Sequence, residues 1–135
     1  MLWTVESRAS MCLAVGRQDR AHVSLGSRPE GRGDLRAFVT ETTPYFSIII
    51  PTYGRSQQLG KCLQSIAELA YPLKRFEVIV VDDGNEVPPD AVVASYSRHL
   101  DLRLVSQQHA GPAVARNTGA AQAKGQFLAF TDDDC

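Results

Sequence analysis

The chain lacks any long apolar run. No stretch approaches the roughly 20 consecutive apolar residues of a membrane-spanning helix. The first residues carry Glu6 and Arg8 where a signal peptide needs an unbroken apolar core. These two absences read as a soluble protein with no membrane segment. An excess of charge is missing too: 14 Lys and Arg stand against 15 Asp and Glu. That balance removes the usual electrostatic reason to expect nucleic acid as a partner. Cysteine is sparse, with only Cys12, Cys62 and Cys135, an odd and scattered set that makes no CxxC pair. Such a set builds no disulfide framework and points to a reducing compartment. Three motifs are absent as well: the GxxxxGK[ST] phosphate loop, the GxGxxG fingerprint and the nucleophile elbow. The second of these absences argues against a nicotinamide-dependent Rossmann enzyme.

What is present divides near Pro44. Residues 1–44 show little apolar periodicity, and Gly26, Pro29, Gly31 and Gly33 interrupt any regular backbone. They read as a flexible or poorly defined extension, with at most a short strand or helical turn over residues 11–15. From Tyr45 the character changes. Residues 46–50 form a β-branched apolar run closed by Pro51, as in a parallel strand buried on both faces. Leu59, Cys62, Leu63, Ile66 and Ala70 then recur at helical spacing, behind Ser56 as a candidate N-cap and ahead of Pro72 as a stop.

Residues 76–81 read as a second strand. Pro88, Pro89 and Asp90 open a second helix with Val92, Val93, Tyr96 and Leu100 on one side. A third strand covers 102–105, and Gly111-Pro112 opens an Ala-rich helix closed by Gly125 in the C′ position. A fourth strand covers 127–131. The order is β-α-β-α-β-α-β, which calls for an α/β fold: a mainly parallel sheet with helices on both faces.

Ligands of such sheets bind beyond the carboxyl ends of the strands. All four strands here end in polar or constrained residues. The first ends in Pro51, Thr52, Tyr53, Gly54 and Arg55, and the second in Asp82, Asp83 and Gly84. The third runs into Gln107, Gln108 and His109, and the fourth into Asp132, Asp133 and Asp134. Three successive carboxylates repel one another unless a cation sits among them, and hard oxygen donors suit Mn²⁺ or Mg²⁺. A solvated acidic chain end is the alternative. Asp82 and Asp83 read either as ligand acceptors or as a turn and helix cap. Arg55 reads as a phosphate contact or as a solvated side chain. Arg116, in the first turns of a helix, is disfavoured by the helix dipole. A bound diphosphate or a nearby carboxylate explains it.

Taken together, FSIIIPTYGR, FEVIVVDDGN, GPAVARNTGAAQAKG and FLAFTDDDC resemble the amino-terminal, nucleotide-sugar-binding half of a family 2 glycosyltransferase of the GT-A fold. The resemblance covers residues 45–135, a partial GT-A domain incomplete at the carboxyl end. It implies a nucleotide-diphosphate sugar donor, most often a UDP-sugar, a Mn²⁺ or Mg²⁺ ion, a carbohydrate or lipid-linked acceptor, and inversion at the sugar carbon. It implies that Pro51, Thr52, Tyr53 and Arg55 line the donor, with Thr52 at the nucleoside. Asp83 accepts from the uracil ring N–H, with Asp82 beside it. Arg116 lies along the diphosphate and Asn117 supports the loop. Asp132 and Asp134 match the outer positions of the DxD motif. Asp134 is the first choice for metal ligand, Asp132 lies near ribose or metal, and Asp133 stays in play as a donor contact.

Relatives in the family continue into an acceptor half that carries the catalytic base. The expectation is therefore that this chain holds no catalytic residue of its own and does not turn over. Cytoplasm is the expected location, because nucleotide sugars are made there; a membrane-associated longer form is the alternative. A non-catalytic nucleotide- or metal-binding fragment is the competing reading. A receiver-like signalling domain accounts for Asp82 and Asp83 but not for Arg116 or the three aspartates.

Overall fold

The computed structural model describes residues 14–17 and 44–135. It holds five strands in one sheet: β1 (Ala14–Arg17), β2 (Phe46–Thr52), β3 (Phe76–Asp82), β4 (Leu102–Ser106) and β5 (Phe127–Phe130). Their spatial order is β1-β5-β2-β3-β4. Strands β5, β2, β3 and β4 run parallel, and β1 pairs antiparallel with β5, Ala14 opposite Phe130 and Arg17 opposite Phe127. Three α-helices connect the parallel strands: α1 (Ser56–Ala67), α2 (Asp90–Tyr96) and α3 (Pro112–Gln122).

The middles of the two central strands, residues 48–51 and 78–81, are apolar because both faces are covered. Ile48, Ile50, Val78 and Val80 pack on one side against Leu59, Cys62, Leu63 and Ile66 of α1 and Val93 of α2. Ile49, Ile79 and Val81 point to the other side, against Ala115 of α3 and Ala123 beyond it. That second layer is thin by necessity. A Cβ on Gly119 of α3 would lie 2.5 Å from Ile49 Cγ2 and 3.1 Å from Val81 Cγ2, so this helix sits almost on the sheet.

The expected βα order is present, with local differences. Arg55, not Ser56, is the N-cap residue of α1, and no side chain caps that end. The helix stops at Ala67, five residues before Pro72, where Glu68 and Leu69 N–H turn back to Gln64 and Ile66 carbonyls. Ala70 is consequently exposed and off the helical stripe, and Ala113 in the first turn of α3 is exposed. Gly125 is not a left-handed helix cap. Helix α3 ends at Gln122 and Ala123 is already extended. Gly125 is required instead by backbone proximity: a Cβ there would stand 2.6 Å from Phe46 C and Ser47 N.

Strand β2 also runs through Pro51 to Thr52. Pro51 is tolerated in this central strand for a directional reason. The Ile49 carbonyl faces β5 and the Thr52 carbonyl faces β3, accepting from Thr131 and Asp83 N–H respectively. By alternation Pro51 faces the β5 side, beyond the last β2–β5 pair, Ile49 with Phe130. The outer side of β5, expected to be the open edge of an incomplete sheet, is paired with β1, so the boundary at Pro44 is crossed by one strand pairing. The rest of residues 1–43 lies outside the described residues.

Candidate functional site

The carboxyl ends of β2, β3 and β5 and the start of α3 surround one cleft of about 320 Å³. Its walls carry Pro51, Thr52, Tyr53 and Arg55 from the first strand end, Asp83 from the second, and Asp132, Asp133 and Asp134 from the last. His109, Pro112 and Arg116 close it from the α3 side. The sequence-predicted residues thus converge, except two. Asp82 accepts from Asn85 N–H at 2.9 Å and Asn85 Nδ2 at 2.6 Å, so its carboxylate closes the turn behind the cleft. Asn117 is exposed on α3 and does not line the cleft.

At one pole sits Asp83, 3% exposed. Its Oδ1 accepts from Gln107 Nε2 at 2.7 Å and from Ala110 N–H at 2.9 Å. Its Oδ2 accepts from Gly111 N–H at 2.9 Å and lies 3.0 Å from His109 Nδ1. Burial works to raise the pKa of this carboxyl. The hydrogen bonds from Ala110, Gln107 and Gly111, with His109 beside them, outweigh burial and hold it below the ordinary aspartate value. The loop geometry depends on two glycines. Gly111 at φ +93° aims its N–H at Asp83. Gly84 at φ +83° leaves no room for a Cβ, which would stand 2.7 Å from His109 N. Above this pole the rings of Tyr53 and His109 stack, centroids 4.2 Å apart and planes inclined by 28°.

The other pole is acidic and basic at once. Asp133 is buried and accepts from Thr52 Oγ1 at 2.8 Å. Burial lifts its pKa; the Thr52 hydrogen bond and Arg55 pull it back, Asp134 pushes it up, and the net direction is upward. Arg55 Nη1 lies 2.6 Å from Asp134 Oδ2 and 3.5 Å from Asp133 Oδ1. Arg116 Nη2 lies 2.5 Å from Asp132 Oδ1. In this structure, therefore, a carboxylate partners Arg116, the second of the two explanations the sequence allows. Carboxylate oxygens of Asp132 and Asp134 and the Cys135 sulfur lie within 4.8 Å of one another, a spacing that a single ion can span.

Thr52 joins the poles. Its carbonyl accepts Asp83 N–H at 3.0 Å while its hydroxyl donates to Asp133. Three lining or neighbouring groups have no settled role in the sequence alone. His109 reads there as ligand-facing or as a surface side chain, and its place at a strand end is the signal for the former. Pro112 reads only as a helix start. Cys135, adjacent to the acidic run, reads only as part of an odd cysteine count.

Comparison with known proteins gives one consistent result. The glycosyl transferase family 2 profile matches residues 47–135. Glycosyltransferase AglE of Haloferax volcanii is 36% identical over 99 residues, covering 72% of this chain and 33% of that protein. The poly(ribitol-phosphate) β-N-acetylglucosaminyltransferase TarS of Staphylococcus aureus is 35% identical over 91 residues, 66% of this chain and 16% of its own length. The structure of TarS 1–349 in complex with UDP-GlcNAc superposes with a TM-score of 0.61 at 36% identity, covering 66% of this chain and 26% of that one. The Pyrobaculum calidifontis mannosyltransferase PcManGT in complex with GDP-Man and Mn²⁺ gives a TM-score of 0.63 at 31% identity, over 68% and 28% of the two chains. The chain spans about a third or less of the length of these relatives.

Proposed function

The chain belongs to glycosyl transferase family 2 and has its GT-A-like α/β fold, and from that premise we propose that its cleft binds the UDP-sugar donor of a metal-dependent, inverting sugar transfer to an acceptor hydroxyl. One observation carries the proposal. A buried ionised carboxylate beside an exposed aromatic ring shares one cleft with two arginines and an acidic pair. That combination suits a base at one pole and a diphosphate at the other.

The roles follow from the chemistry of each pole. Asp83 accepts a ring N–H of the base, and Tyr53 offers a ring face to it. Thr52 holds the floor between base and phosphates. Arg55 and Arg116 engage the phosphate oxygens, where guanidinium geometry is favourable. The cleft walls carry two arginines against four aspartates, so a bare diphosphate is repelled. This imbalance is the physical reason to expect a divalent ion. Asp132 and Asp134 offer hard oxygens that fit Mn²⁺ or Mg²⁺, and the Cys135 thiol beside them suits Mn²⁺ better. When bound there, the ion supplies positive charge to the diphosphate leaving group.

Asp132 and Asp134 would hold the ion, which would leave Arg116 and Arg55, now paired with those carboxylates, available to the phosphates. As the bond between the sugar carbon and the diphosphate breaks, Arg55 and Arg116 stabilise the charge that develops on the leaving oxygen. The acceptor hydroxyl loses its proton to a general base outside residues 45–135.

Titration calorimetry of the 135-residue chain with UDP, with and without Mn²⁺, tests the reading. Binding is expected to need Mn²⁺ and to weaken in Asp83→Ala and Asp134→Ala. No UDP heat from a well-folded sample in the presence of Mn²⁺ sinks donor binding.

A further inference from the structure

His109 occupies a peculiar position relative to the base pole. Its Nδ1 lies 3.0 Å from Asp83 Oδ2 and 3.1 Å from the Asp83 carbonyl. Both neighbours are acceptors, so Nδ1 carries the proton. Its ring stacks on Tyr53 at 4.2 Å. A flat heteroaromatic ring therefore lies on the aromatic wall and donates a ring N–H to the buried carboxylate, the same two contacts that a pyrimidine base would make there.

We infer that His109 is an internal stand-in for the nucleobase, and that donor binding must displace its imidazole from Asp83 and Tyr53. This rests on the nucleotide reading of the cleft. Three observations identify the imidazole as the part that gives way. A carboxylate has about four acceptor sites, and those of Asp83 are taken by Gln107, Ala110, Gly111 and His109. Two of these donors are backbone N–H groups and the third, Gln107, reaches Asp83 from a half-buried position, whereas the His109 side chain is 57% exposed. The His109 backbone is pinned by the close approach of Gly84. Side-chain rotation of His109 into solvent is therefore the movement that frees both an acceptor lone pair and the Tyr53 face without breaking the loop. His109 is thus an affinity-setting residue: it keeps Asp83 satisfied when the cleft is empty and charges every incoming base one stacking contact.

Removing the imidazole is expected to tighten UDP binding in Mn²⁺ by about two- to tenfold, the equilibrium equivalent of one aromatic pair. The experiment is UDP calorimetry on the 135-residue chain and on His109→Ala, with proton NMR of the His109 ring in the unsubstituted chain. In the free protein, the His109 ring protons are expected to carry an upfield shift from Tyr53, which UDP removes. Tighter binding by His109→Ala together with that loss of shift supports displacement. Unchanged or weaker binding by a folded His109→Ala, or a ring shift that survives saturation with UDP, overturns it and leaves the donor reading standing. Binding by neither chain removes the donor reading and this inference with it. The NMR arm decides the question if His109→Ala does not fold.

Discussion

Asp83→Asn exchanges one oxygen for an amino group, yet its consequence is large because all four neighbours of this carboxylate are donors. If the new amino group takes the Oδ1 position, Gln107 can turn its amide to accept, but Ala110 N–H is left facing a donor. If it takes the Oδ2 position, His109 can change tautomer, but Gly111 N–H is stranded. Either way a backbone N–H loses a charge-assisted partner in a buried place. The combined loss is about 3 kcal/mol. For a domain of this size it lowers the melting temperature by roughly 10–15 °C.

The dependence on pH supplies a sharper check. The Asp83 pKa is lowered in the folded chain, so its contribution is fully present above the unfolded aspartate value of about 3.9 and disappears as pH falls through the lower folded value. Urea unfolding of both chains is therefore expected to show a wide separation of midpoints at pH 7 that narrows below about pH 4. Equal midpoints at pH 7 refute the assignment of Asp83 as the hub of the loop. A separation that persists unchanged at pH 3 refutes its ionisation as the cause.

Four further outcomes are expected. Gly119→Ala gains helix propensity but drives a Cβ into Ile49 and Val81, a net destabilisation of about 1–2 kcal/mol that denaturant midpoints measure. Asp133 is held in a site that favours its neutral form, so stability falls as pH rises through the window above the ordinary aspartate value. Asp133→Asn is accordingly more resistant to urea than the unsubstituted chain at pH 7, with no advantage at pH 3. Burial, with Asp133 and Cys135 nearby, pushes the Cys62 thiol up to about 11. Iodoacetamide at pH 8 followed by mass spectrometry is expected to modify Cys135 and to spare Cys62 until denaturant is added. The 135-residue chain is expected to bind donor without transferring sugar; a chromatographic assay that detected transfer abolished by Asp134→Ala would place the base inside it.

The order of elements was legible because each depends on neighbours in sequence. The alternation of Ile48, Ile49 and Ile50 between two covered faces, and the spacing of Leu59, Cys62, Leu63 and Ile66, are short-range patterns. The boundaries were less so. Ser56 looks like a cap, but it is already the first helical residue, so the cap position falls on Arg55. Gly125 looks like a helix stop, and its real constraint is the passage of Phe46 and Ser47, which lie 78 residues away for the Gly125–Ser47 pair. The cleft residues were legible as strand endings. Their pairings were not, because Arg116 with Asp132 and Arg55 with Asp134 are choices among several carboxylates that only the assembled sheet makes. Strand β1 gave almost no signal, since four residues taken up by an existing edge need little pattern of their own.

Thr52 fixes a length. Its main chain is tied to one end of the cleft and its hydroxyl to the other, and it sits in the buried middle strand of the sheet. The separation of the two ends is therefore set by the sheet and not by a loop. A cleft of this kind behaves as a gauge. It cannot shrink onto a short occupant or stretch around a long one, so selection falls on the span between the occupant's flat end and its anionic end, before any chemistry of either end is tested.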